Sequence, residues 1–390
     1  MILNNLYITG NGNERKSITI NNSVIQNICD ENEIKIHNEN VIDFDNAIVF
    51  PGIINSHDHL EFNLFPSLGN KIYNNYIEWG EDIHKVNKDQ IEAILHIPIQ
   101  LRYKWGIYKN LFSGITTVFQ HGKILNYNQK EIIDVYNGGK IFHSVRLEKY
   151  WKLLINLPGF ERAVIHIGEG NDNSSQEEIK TLIKWNYFKK KIIGIHAIAL
   201  GKEDANNFEA IIWCPVSNYF LFDKTANVNE LKKETKILFG TDSTVSANGN
   251  IWDHLRFARK LNLIDDKDLF GSLTATPAGV WNLELLGKIK ENYSADLVVA
   301  ENKLSSTWDS FFSLNPQDII LILKQGKIVL WDKSIKDQLN FPDNEMKLFT
   351  KIVLPGGRIK YLLGNLKGLI NSIQRYNTNI LFPFKIENQD

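Results

Sequence analysis

His57-Asp58-His59 sets two imidazoles two residues apart. On an extended segment residues i and i+2 face the same way, so this pair could grip one cation together. Such pairs arise often by chance, and alone the pair says little. Three further apolar segments, however, run into matching ligand types: His166 with Glu169, His196, and Asp242. Imidazole and carboxylate without thiolate suit Zn²⁺ or Fe²⁺ in a site that keeps one position open for a reactant. His121 and Arg146, at the ends of two other segments, could bind a carboxylate or a ring oxygen. Asn218, after Cys214-Pro215, is as suited to bracing its loop as to touching a substrate.

These residues lie nearly 190 positions apart, so something must bring them together. From Pro51-Gly52 onward, short apolar runs alternate with longer amphipathic stretches, the pattern of a parallel α/β sheet or barrel. The expected strands are Gly52–His57, Ile115–His121, Lys140–Leu147, Ala163–Ile167, Lys191–His196, Ala210–Cys214 and Lys236–Thr241. A closed parallel barrel gathers the ends of such strands at one mouth. Helical spacing joins Ile91, Ile94, Leu95, Leu101, Trp105, Tyr108 and Phe112, with Pro98 breaking the run. Ser175-Gln176-Glu177-Glu178 is a capping-box pattern that opens another helix. Before residue 51 the chain shows only short β segments, including Val41–Phe44 and Ala47–Phe50. β character returns at Lys288–Lys290, Ala295–Ala300, Ile319–Leu323 and Lys327–Leu330. One composite β unit, 1–51 with 286–335, is therefore expected to clasp a barrel of residues 52–285. The partly apolar tail, 336–390, is expected to pack on one of them.

The 390 residues carry 44 Lys+Arg against 45 Asp+Glu, a net charge of −1, which offers no electrostatic footprint for nucleic acid or an anionic membrane. Two cysteines exclude a disulfide framework and a four-cysteine zinc site. No targeting pattern opens the chain and no long apolar span occurs, so a cytoplasmic enzyme acting on a small molecule is expected.

The motifs, in order, are Pro51-Gly52-Ile53-Ile54-Asn55-Ser56-His57-Asp58-His59-Leu60, Ser113-Gly114-Ile115-Thr116-Thr117-Val118, His166-Ile167-Gly168-Glu169, His196-Ala197-Ile198-Ala199-Leu200, Cys214-Pro215-Val216-Ser217-Asn218, Gly240-Thr241-Asp242-Ser243, Ala275-Thr276-Pro277-Ala278 and Ala295-Asp296-Leu297-Val298-Val299. Each is soft alone; in this order and at these intervals they are specific. Over residues 1–335 the chain resembles the amidohydrolase superfamily, in its metal-dependent deaminase and chlorohydrolase-like branch. The resemblance implies a distorted (β/α)8 barrel with a composite β-sandwich from both chain ends. It implies that His57, His59, His166 and Asp242 hold one divalent metal, Zn²⁺ ahead of Fe²⁺, with His196 beside it. Glu169 matches the branch's acid/base, and Asp242 and Glu169 would relay the proton of an activated water. Relatives are commonly homodimers.

Only 15 residues separate Leu147 from Ala163, too few for a helix, a strand and another helix, so one βα unit is shortened or missing. In binuclear relatives the fourth strand carries a metal-bridging lysine. That strand is not found here, which favours a single metal. The leading function is hydrolytic deamination of a cyclic amidine or aminated N-heterocycle. The alternatives are an amide or ring-opening hydrolase of the imidazolonepropionase kind and a catalytically silent scaffold.

Overall fold

The computed structural model describes residues 1–30, 40–125 and 132–387. A ten-stranded sheet comes from both chain ends. Its strands are β1 (Ile2–Ile8), β2 (Arg15–Asn21), β3 (Val24–Asp30) and β4 (Val41–Pro51), then β13 (Leu297–Glu301), β14 (Ile319–Lys324), β15 (Lys327–Asp332), β16 (Phe349–Val353), β17 (Ile359–Leu363) and β18 (Lys385–Ile386), in the order β18-β16-β17-β15-β14-β13-β4-β1-β2-β3. The two segments expected over 41–50 are one strand, because the register irregularity between Asn4 and Leu6 of β1 lets β4 run on past its Asp and Asn residues. Lys288–Lys290 forms no strand. The tail does more than pack: β16, β17 and β18 extend the sheet beyond β15, with Leu330, Trp331 and Asp332 paired to Leu362, Tyr361 and Lys360. One apolar core runs through Ile18, Val49, Leu321 and Trp331, so the two chain ends share an interior.

Between the halves of this sheet the chain forms the barrel: β5 (Ile53–Asp58), β6 (Ile115–Gln120), β7 (Asp134–Tyr136), β8 (Lys140–Ser144), β9 (Arg162–Ile167), β10 (Lys191–His196), β11 (Ala210–Trp213) and β12 (Lys236–Phe239). All neighbours are parallel, in runs β5-β6-β7 and β8-β9-β10-β11-β12. β5, β6, β9 and β11 are buried at every residue; β11 reads as an unbroken apolar run, whereas β5 and β6 also bury polar residues such as Asn55, His57, Asp58, Thr117 and Gln120. The Thr241 and Asp242 amides both donate to the His57 carbonyl, at 3.1 Å each, and close β12 onto β5. β7 is not expected from the sequence. Only Asn137–Gly139 separates it from β8, too short for the crossover that a parallel neighbour needs. β7 and β8 are thus two halves of one broken strand, and the described residues fill seven strand positions. Between β8 and β9 the chain makes only a single-turn helix, Trp151–Leu154.

Around the barrel, α1 (Tyr76–Val86), α2 (Lys88–Leu95) and α3 (Ile99–Leu111) precede β6, with Pro98 capping α3 as its sequence break implies. The helix Asn173–Trp185 starts two residues before the expected capping box. Asp172 is its N-cap and accepts from the Ser175 amide. No helix among the described residues is long and apolar enough to cross a membrane.

Candidate metal centre

The sequence-derived ligands meet at one end of the barrel. His57 lies near the end of β5, and its neighbour ring His59 is 4.9 Å away, centroid to centroid; His166 is 5.0 Å and His196 5.8 Å from His57. Asp242 Oδ1 stands 3.6 Å from His57 Nε2 and 3.9 Å from His59 Nε2. Nitrogen atoms of His57, His166 and His196 lie within 4.8 Å of one another, and so do ligand atoms of His57, His59 and Asp242. His57 Nε2 is buried without a hydrogen-bond partner, an arrangement that costs free energy unless something else satisfies it. This donor set fits a divalent metal ion.

Two residues of the cluster have an unusual backbone. His196 (φ +66°) and Asp242 (φ +55°) are both left-handed, a conformation that costs an L-residue about 1–2 kcal/mol. Strain of this kind, carried by His196 and Asp242 at once, belongs to a site whose surroundings over-determine it. Gly240 allows the approach of β12. A Cβ there would fall 2.7 Å from His57 Cβ and 3.0 Å from Cys214 Sγ. Gly240→Ala is accordingly expected to destabilise the fold by about 1–3 kcal/mol through overpacking. Urea denaturation checks it, and an unchanged midpoint would show that His57 has room to move.

Outer partners fix which nitrogen each ring presents. His166 Nδ1 lies 2.8 Å from the His143 carbonyl, which can only accept, so Nε2 keeps its lone pair. His196 Nδ1 donates to Asn218 Oδ1 at 2.7 Å, while Asn218 Nδ2 donates to Thr225 Oγ1. Asn218 thus braces His196. Burial, the largest cause in both, lowers His59 and His196 to about 4, so both rings are neutral at pH 7. Burial would raise the Asp242 carboxyl, but the His57 ring 3.6 Å away, with His196 and His59, holds it well below the usual carboxylate range. Burial, with the Asp242 and Glu178 carboxylates, pushes Glu169 well above that range, and Glu169 Oε1 faces His196 Nε2 at 3.7 Å.

Two other expected contacts lie elsewhere. His121 joins the histidine cluster, 4.3 Å from the His166 ring, with both ring nitrogens buried and unsatisfied, and it does not line the cavity at the mouth. Arg146 pairs with Glu178, donates to Ser174 Oγ at 2.6 Å and covers the Tyr76 ring, so its guanidinium is already engaged.

Sequence reasoning missed several partners. Ser217 and Ser246 hydroxyls donate to Asp242 Oδ2 at 2.8 and 2.7 Å, and the Ser243 amide donates to Oδ1 at 2.8 Å. Glu178, read from the sequence as part of a cap, instead turns inward to accept from the Gly168 amide at 3.3 Å and from Tyr76 Oη at 3.1 Å, holding the turn that carries Glu169. His143 lies within β8 and lines the cavity; the strand expected over Lys140–Leu147 puts it in mid-strand and gives no signal for it. The cavity, about 350 Å³, has His59, His166 and Asp242 on its floor and Phe62, Leu68, Trp79, Ile83 and Leu147 among its walls.

Residues 162–329 match the amidohydrolase family. The chain is similar to the 5-methylthioadenosine/S-adenosylhomocysteine deaminase of Caldicellulosiruptor saccharolyticus, 24% identical over 382 residues that cover 81% of this chain and 88% of that one. It is also similar to the 5′-deoxyadenosine deaminase of Methanocaldococcus jannaschii, 21% identical over 362 residues, 77% and 85% of the two chains. Among solved structures, zinc-complexed atrazine chlorohydrolase TrzN from Arthrobacter aurescens TC1 superposes with a TM-score of 0.70 at 13% identity, covering 96% of this chain and 99% of that one.

Proposed function

We propose that this chain, which belongs to the amidohydrolase superfamily in its deaminase and chlorohydrolase-like branch, removes an amino group from an aminated N-heterocycle. Water and the C–NH₂ group would become a carbonyl and ammonia. The observation that carries this reading is Glu169: a buried carboxyl, pushed up by burial and by the Asp242 and Glu178 carboxylates, opposite His196 at 3.7 Å and beside the imidazole and aspartate cluster. A divalent metal held by His57, His59, His166 and Asp242, zinc by its donor set and by the zinc in the superposed chlorohydrolase, would supply acidified water and charge stabilisation.

The chain's own groups supply the proton transfers. Asp242 Oδ2 accepts from the Ser217 and Ser246 hydroxyls, while Oδ1, which accepts from the Ser243 amide, lies on the histidine side, where its remaining lone pair would take a proton. Burial and the neighbouring carboxylates favour the protonated form of Glu169, which would donate to a ring nitrogen and then carry a proton to the departing amine. His196, its Nδ1 committed to Asn218, keeps Nε2 toward Glu169 and the reacting carbon. Phe62, Trp79 and Ile83 exclude water from the ring face. The reading includes a cytoplasmic location, as the low cysteine count suggests.

Ammonia release across purines, pyrimidines, pterins and triazines tests the reading, and turnover without ammonia would replace deamination with ring or amide opening. Within that panel the cavity sets an order. Its described lining contains no lysine or arginine, and Asp242 is its one carboxylate. Taking a charge out of water without a partner costs several kcal/mol. 5′-Methylthioadenosine is therefore expected to exceed S-adenosylhomocysteine, with its zwitterionic tail, by roughly tenfold or more in kcat/KM. Equal values would place the tail in solvent, outside the cavity.

A further inference from the structure

Between the two histidines of the His57-Asp58-His59 run lies a carboxylate that faces away from them. Alternation along the strand sends Asp58 to the opposite side, where it is fully buried. Lys109 Nζ donates to Asp58 Oδ2 at 2.9 Å and Asn110 Nδ2 donates to the same oxygen at 2.8 Å, while Asn63 Nδ2 donates to Oδ1 at 2.8 Å. Lys109 also donates to Asn63 Oδ1 at 3.1 Å. The last turn of α3 reaches this depth because Gly106 lies against the Leu60 carbonyl, where a Cβ would come within 2.3 Å. The network then crosses to the end of β12. Asn55 Nδ2 donates to Asn110 Oδ1 at 3.0 Å and to Thr241 Oγ1 at 2.8 Å, and Asn55 Oδ1 accepts from the Thr241 amide at 3.1 Å.

We propose that Asp58 and Lys109 are positioning residues of the metal centre: their buried ion pair sets the spacing of His57 and His59 and, through Asn110, Asn55 and Thr241, the place of Asp242. The inference rests on the metal-centre reading above. A fully buried ion pair seldom adds net stability over apolar residues of the same shape, but breaking it leaves an uncompensated charge. Here the pair is hydrogen-bonded through both carboxylate oxygens and tied to the segments that carry the ligands. Its geometry therefore transmits directly to the donor atoms, and outer partners of metal ligands commonly control affinity about 10–100-fold.

The test compares the parent with Lys109→Met and the double variant Asp58→Asn/Lys109→Met. Zinc affinity is measured by chelator competition, the cobalt(II) absorption spectrum reports ligand geometry, and metal-free Tm reports the fold. Lys109→Met is expected to lower Tm and to weaken zinc by about 10–100-fold. The double variant, with no buried charge left, is expected to regain most of the Tm yet keep zinc at least about tenfold weaker, with a shifted cobalt spectrum. If Lys109→Met does not fold, the double variant decides alone. Zinc affinity within about twofold of the parent and an unchanged cobalt spectrum in the double variant would overturn the proposal and leave the pair a structural filler. A parent that binds neither metal would overturn the metal-centre reading itself.

Discussion

Glu169→Gln is expected to lower kcat by about 10²–10⁴-fold while bound metal stays at the parent level. Glutamine fills the same volume and can still hydrogen-bond, but it cannot pass a proton. Glu169 is not among the groups whose ligand atoms cluster, so its loss should leave those donors intact. Its surroundings all favour proton delivery, since burial raises the carboxyl, Glu178 holds the Gly168 turn, and His196 Nε2 stands 3.7 Å away. Metal analysis beside steady-state kinetics of ammonia release checks both halves. A kcat within about tenfold of the parent would move proton delivery to another group, Asp242 first.

Stripping the metal with a strong chelator is expected to abolish turnover and to lower Tm by several degrees, with both recovered on adding zinc. The stability arm follows from linkage. A ligand that binds only the folded state adds about 4 kcal/mol when present at about 1,000 times its Kd. The site makes such binding favourable because the His59 and His196 rings are neutral, Asp242 is ionised and His57 Nε2 has no hydrogen-bond partner. Differential scanning calorimetry of stripped and reloaded protein, with activity read on the same samples, is the measurement. Persistent turnover in protein shown to be metal-free would remove the metal from the reaction.

Much of this arrangement is legible in the residues. Apolar runs buried on both faces announce parallel strands before any contact is known, and β9, β10, β11 and β12 lie where such runs occur, while β5 and β6 mix apolar with buried polar residues. The His57/His59 spacing and the ionisable residues at the ends of β9, β10 and beyond β12 follow from strand alternation and from the rule that barrels carry chemistry at strand ends. β7 escapes because a strand of three residues carries no periodicity. The tail strands escape because whether a short apolar segment joins a sheet is decided by the partner it finds, here β15 for β17 and β17 for β16.

The ligand types and their order along the chain were set by the sequence alone, since both depend on local pattern. Only the folded chain decided their partners. Ser217 and Ser246 reach Asp242 from 25 residues upstream and 4 downstream, and Lys109 reaches Asp58 across 51. Glu178 leaves its helix cap for the Glu169 turn, Arg146 commits its charge to Glu178, and His121 packs edge-on against His166 within the histidine cluster. A hydrogen bond needs a few tenths of an ångström and a direction, and both come from how helices and strands far apart in the chain pack together.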